Sequence, residues 1–146
     1  MQIGGYVPLK YDVSSGIPSL DIGLTKPRVG KEIPEDELGK VLDDFVHQAK
    51  IMKFCGFDVV YMHMSYRLTI LGRMLSPLTN KRKDKYGGSL ENMARFPIMV
   101  GDAIKKACGK DFLIEASLSG EEPKGGRTLQ ETIKLAKMLA DRKSVV

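Results

Sequence analysis

Two short apolar runs, each led by an amphipathic helical stretch, constrain this chain more than any other feature. Phe57-Asp58-Val59-Val60-Tyr61-Met62 is β-branched and aromatic, and of strand length. Phe112-Leu113-Ile114-Glu115-Ala116-Ser117-Leu118-Ser119 is a second such run. Following helices, both read as buried parallel strands. Strands that alternate with amphipathic helices imply βαβ units around a parallel sheet, which places the chain in the α/β class. Two strands cannot complete such a sheet, because buried parallel strands need neighbours on both edges.

The helices carry their own punctuation. Pro34 suits a first helical position, and Glu35, Asp36 and Glu37 suit the positive end of the helix dipole. Leu38, Leu42, Phe45, Ala49 and Met52 form the apolar stripe, and Gly56 is placed to close the helix in a left-handed cap. Ser89 is a candidate cap for a second helix that ends near Gly109, and Pro97 must kink or restart it. Thr128-Leu129-Gln130-Glu131 is a capping box, with Leu129, Ile133, Ala136 and Ala140 marking the face behind it. Residues 76–88 and 120–126 read as loops. Residues 1–33 form an irregular lead in which glycine and proline recur and no apolar period is sustained.

Composition narrows the partners. The chain has 146 residues and a net charge of +5, which spread lysines on solvated helix faces account for without a nucleic-acid partner. No apolar run approaches the ~20 residues that span a membrane. Cys55 and Cys108 match neither a disulfide framework nor a zinc pattern, so a reducing cytoplasm is the expected location. With only His47 and His63, a multi-histidine metal site is not expected.

The first strand ends at His63, followed by Met64-Ser65-Tyr66-Arg67. A histidine there can donate to a carbonyl or phenolate oxygen, a tyrosine can donate a proton, and an arginine can bind phosphate or carboxylate. The same residues could equally satisfy local backbone groups. Lys81-Arg82-Lys83-Asp84-Lys85 is either a phosphate patch or a solvated loop with Arg82 and Asp84 paired. Glu115 within a strand is costly to bury alone; it is either a functional carboxylate or one aimed at a helix-side partner. Gly87-Gly88 ahead of Ser89 could offer amides to an anion or simply make a tight turn.

The run from Ala49 to His63, and the gapless run from Leu75 to Phe96 with Pro77-Leu78-Thr79-Asn80 and Tyr86-Gly87-Gly88-Ser89-Leu90-Glu91-Asn92 at its centre, resemble the old yellow enzyme family. The resemblance is greatest to its NADH:flavin oxidoreductase/NADH oxidase branch, which includes 2,4-dienoyl-CoA and 2-enoate reductases. It covers about residues 32–140. It implies a (β/α)8 TIM barrel seen in part, around its fourth and fifth βα units. It also implies FMN at the top of the barrel, NAD(P)H as hydride source and a small-molecule acceptor such as an enoate or enone. Some relatives carry an iron–sulfur cluster or FAD in a further C-terminal part. His63 matches the first histidine of the family's substrate-holding pair, and Tyr66 occupies the second position. The usual proton-donor tyrosine has no counterpart unless Tyr66 has taken its role. Ser117 stands where the family carries a flavin-contacting arginine, and Met93 replaces another arginine.

Such a barrel needs eight strands and roughly 250 residues. The chain is therefore expected to be a central, incomplete part of one, over residues 1–140, and inactive by itself. Residues 141–146 do not continue the family pattern and match a translated sequencing-adapter end, so they are expected to be a non-native read-through tail. A genuine genomic stop after Val146 would overturn that. The competing expectation is an inactive βα remnant or a non-enzymatic interaction module.

Overall fold

A computed structural model of the chain describes residues 2–3, 32–67 and 69–141. Three strands form a parallel sheet in the order β1-β2-β3: Gln2–Ile3, Val59–His63 and Leu113–Ser117. The helices are α1 (Glu35–Phe54), the short α2 (Ile70–Met74), α3 (Leu90–Cys108) and α4 (Leu129–Asp141). The alternation expected from the apolar runs is the alternation observed.

Local chemistry explains the boundaries. α1 ends in a Schellman arrangement: Gly56 N–H donates to Lys53 O at 3.0 Å and Phe57 N–H to Met52 O at 3.1 Å, with Gly56 at φ 85°. Ser89 Oγ caps α3 by accepting from Asn92 N at 3.2 Å. Pro97 stands inside α3, and the helix runs through it to Cys108. The capping box forms as expected: Thr128 N–H donates to Glu131 Oε2 at 2.8 Å and Glu131 N–H to Thr128 Oγ1 at 3.3 Å.

The core lies on one side of the sheet. Val60, Met62 and Ile114 point into it and are fully buried. Leu38, Val41, Phe45, Ala49 and Met52 of α1 and Ala94, Phe96, Val100 and Ile104 of α3 cover them. Each of these side chains larger than alanine contributes about 1.5–3 kcal/mol on leaving water. The alternate residues face the other way. Tyr61 and His63 are half-buried, Leu113 is 46% exposed and Glu115 is exposed. No described element covers that face, and β3 has no strand on its far edge among the described residues.

Three expectations need correction. Gln2–Ile3 is a strand inside the lead expected to be irregular, in register with Tyr61 and Met62; a two-residue strand has no period of its own and is defined by its partner. Residues 4–31 lie outside the described residues. Glu115 is not aimed at a helix-side partner, because its position in β3 puts it on the face opposite the helices. On α4 the buried face is Thr132, Leu135 and Leu139, while Leu129, Ile133, Ala136 and Ala140 are exposed. Both sets keep helical spacing, so periodicity could not choose between them. α2 had no signal: Thr69 caps it, its Oγ1 accepting from Gly72 N at 3.2 Å.

Candidate active site at the C-terminal edge of the sheet

Parallel register brings His63 and Ser117 side by side at the last paired position of β2 and β3. Both project from the open face at the C-terminal strand ends, the end where βα proteins build their sites. His63 Nδ1 lies 3.0 Å from Ser117 Oγ and 3.3 Å from Ser65 Oγ, and the two hydroxyls are 3.2 Å apart. Met64 N–H also donates to Ser117 Oγ, at 3.4 Å. Thr69 Oγ1 donates to His63 O at 2.5 Å, which ties the strand end to the start of α2.

Tyr66 and Arg67 take left-handed backbone angles, φ 61° and 56°. Such a conformation costs a non-glycine residue on the order of 1–2 kcal/mol. Ser119 Oγ holds the turn by accepting from Tyr66 N at 3.0 Å. The Tyr66 ring stands 6.1 Å from the His63 ring, centroid to centroid, and is 71% exposed. Arg67 is half-buried beside it. The four residues singled out in the sequence thus gather at one edge, with His63 and Ser117 in direct contact.

Sequence reading missed what holds the loops around this edge. Arg127 is 1% exposed. Its Nη1 donates to Leu75 O at 2.7 Å, its Nη2 to Ser119 O at 3.2 Å and its Nε to Thr132 Oγ1 at 2.8 Å. It therefore clamps the segment after β2 to the segment after β3. Burial pushes its pKa below the ordinary arginine value, while Glu122 and Glu131 pull it back up. Glu122 Oε2 adds a second tie, accepting from Ser76 Oγ at 2.7 Å and from Arg127 N at 2.9 Å. The only prior signal was an arginine next to a capping box.

The 76–88 loop is organised in the same way. Asn80 Nδ2 donates to Met74 O and Tyr86 O, both at 2.7 Å. Arg82 is 3% exposed; its Nη1 donates to Ile33 O at 2.8 Å and its Nη2 pairs with Asp84 at 2.5 Å. The expected local pairing is present, yet Arg82 is buried and only Lys81, Lys83 and Lys85 are solvated. The Arg82 hydrogen bond is the main cause that lowers the Asp84 pKa. Gly87 is packed against the loop itself: a Cβ there would lie 2.1 Å from Arg82 O. That favours the tight turn over an anion cradle.

No helix among the described residues is long and apolar enough to cross a membrane. The model of the NADH:flavin oxidoreductase / NADH oxidase family matches residues 6–145. An NADH oxidase of Thermoanaerobacter brockii is 38% identical over 128 residues, 87% of this chain and 19% of its own length. Among solved structures, a 2-naphthoyl-CoA reductase in complex with 2-naphthoyl-CoA has a TM-score of 0.76 at 30% identity, over 85% of this chain and 19% of that one. An old yellow enzyme homologue from Zymomonas mobilis has a TM-score of 0.71 at 27% identity, over 91% of this chain and 38% of that one. The chain thus spans about a fifth to two fifths of these proteins' lengths, and its α/β architecture is a portion of the old yellow enzyme fold. With 140 of its 146 residues inside the family match, the chain belongs to the NADH:flavin oxidoreductase / NADH oxidase family.

Proposed function

We propose that this chain is the central part of an FMN-dependent NAD(P)H oxidoreductase barrel, spanning its fourth and fifth βα units. The complete protein passes hydride to a small-molecule acceptor of the enoate or enone kind. One observation carries the reading: a parallel sheet with helices on one face and no described element on the other, with His63 and Ser117 in register at its C-terminal edge. All-parallel strands are otherwise covered on both faces. A face left uncovered among the described residues suits the interior of a barrel closed by further strands. The family match runs to residue 145, across most of the segment expected to be a non-native tail, of which all but Asp141 lies outside the described residues.

The residues present fit a flavin and its acceptor. His63, Arg67 and Ser117 are half-buried hydrogen-bonding groups and Tyr66 an exposed one, at the strand ends where barrel enzymes react. Bound FMN supplies the relay of hydride from NAD(P)H to the acceptor. His63 donates a hydrogen bond to the acceptor's carbonyl oxygen and stabilises the charge that grows there. Tyr66, exposed above the His63 ring, binds the acceptor and donates the proton that completes reduction. Arg67 attracts an acidic substituent of the substrate. Ser117 stands at the position of the family's flavin-contacting arginine, with its hydroxyl engaged by His63.

The test is expression of the gene with its flanking coding sequence, alongside the 146-residue chain. The longer protein is expected to purify yellow and to oxidise NADH or NADPH, and the chain alone to be colourless. His63→Ala is expected to lower kcat/KM by about 10²-fold or more. A colourless, folded longer protein would sink the proposal in favour of an inactive or interaction module.

A further inference from the structure

We propose that Ser117, supported by Ser65, fixes the neutral His63 ring in the tautomer that carries its proton on Nε2. Ser117 is then a positioning residue. The inference rests on where hydrogens can go. His63 Nδ1, Ser117 Oγ and Ser65 Oγ form a triangle with sides of 3.0, 3.2 and 3.3 Å. Ser65 is 4% exposed, so its hydroxyl hydrogen needs an acceptor inside the protein. A further hydrogen enters from Met64 N–H, which donates to Ser117 Oγ.

Suppose Nδ1 is the bare, accepting nitrogen. Ser117 then donates to Nδ1 and Ser65 donates to Ser117 Oγ, while Met64 N–H uses the remaining lone pair of Ser117. Every hydrogen has a partner. Suppose instead that Nδ1 carries the proton. The triangle then holds three hydrogens but only two accepting atoms, and the single edge between the hydroxyls serves one hydrogen. With that proton directed at the nearer oxygen, Ser117 Oγ at 3.0 Å, Ser117 donates to Ser65, and the hydrogen of Ser65, buried at 4% exposure, is left without an acceptor among the described residues, which is costly. The first arrangement wins.

Backbone geometry keeps it in place. His63 and Ser117 are register partners on neighbouring strands, so the hydroxyl is held beside Nδ1 by the sheet itself. With Nδ1 turned to the serines, the Nε2 proton lies on the opposite side of the ring. A strand-end imidazole becomes a fixed hydrogen-bond donor rather than a mixture of donor and acceptor. That this donor meets an acceptor's carbonyl oxygen rests on the proposed function; the tautomer does not.

The test is nitrogen NMR of the chain labelled with 15N-histidine, at a pH where both imidazoles are neutral. His47, exposed on α1, is the only other histidine and serves as the internal reference. Wild-type His63 is expected to show one pyrrole-like Nε2 and one pyridine-like Nδ1, well separated in shift. Ser117→Ala is expected to draw the two shifts together towards the averaged pattern of His47, and Ser117→Thr to restore the separation. A wild-type ring protonated on Nδ1, or averaged like His47, would overturn the proposal whether or not any variant folds. A Ser117→Ala ring that keeps the wild-type pattern would remove Ser117 from the role. Failure of the longer protein to pass hydride from NAD(P)H would sink the oxidoreductase reading and leave these shifts unchanged.

Discussion

At the scale of single residues, the buried guanidinium of Arg127 is the most consequential side chain outside the strand ends. It joins Leu75 O, Ser119 O and Thr132 Oγ1, so truncation leaves three acceptors and a cavity behind. Arg127→Ala is expected to lower stability by roughly 3 kcal/mol in urea unfolding. A loss under about 1 kcal/mol would show that water replaces the clamp. Gly87→Ala meets Arg82 O at 2.1 Å and is expected to cost more than about 2 kcal/mol, since backbone must move. The left-handed Arg67 predicts the opposite sign. Arg67→Gly is expected to stabilise the chain by about 1 kcal/mol, because glycine adopts φ 56° without strain. A destabilised variant would mean that the Arg67 side chain contributes more than its backbone costs.

At the scale of elements, ties between loops follow pH. Asp84 is held below its ordinary pKa by the Arg82 hydrogen bond, and Glu131 below its own by the Thr128 backbone and side-chain donors. Both are carboxylates with depressed folded values. Their contribution is therefore complete above the unfolded carboxylate range, about pH 4 and higher, and is lost as pH falls through the lower folded values. The chain is expected to unfold on acidification below that range, and the profile should flatten in Asp84→Asn. An unchanged acid limb in that variant would exclude Asp84 as its source. Thr128→Ala removes one half of the α4 capping box and is expected to cost about 1 kcal/mol by the same measurement. The Leu75 to Phe96 run gains a physical meaning here. Asn80, Arg82, Tyr86 and Gly87 hold the 76–88 loop to itself and to Ile33, so the most recognisable sequence in the chain is loop architecture rather than chemistry.

At the scale of the molecule, the sheet face that no described element covers is the decisive feature. Leu113 on that face is 46% exposed. Leu113→Asp is therefore expected to leave the stability of the 146-residue chain within about 0.5 kcal/mol, and to disrupt the longer protein, where the proposed function puts the same position inside a closed barrel. Equal tolerance in both would argue that no barrel closes over it. Exposed Phe54, Phe57 and Leu113 also predict strong binding of a hydrophobic dye by the chain, which should fall in the longer protein.

The sequence by itself determined the class, the order of α1, β2, α3, β3 and α4, and the serine, threonine and glycine that bound them. These depend on short-range rules: apolar spacing, serine and threonine at helix starts, glycine at helix ends. It also placed His63 at a strand end and Ser117 near one, because a strand's end follows from where its apolar run stops. Tertiary structure alone decided what those ends meet. Only the parallel register sets Ser117 beside His63, and only a neighbouring strand makes Gln2–Ile3 a strand at all. The same holds for the buried face of α4 and for Arg127. Two helical faces with equal periodicity are told apart by what packs against them. A buried arginine is identified by the carbonyls it reaches, the furthest of them 52 positions away along the chain.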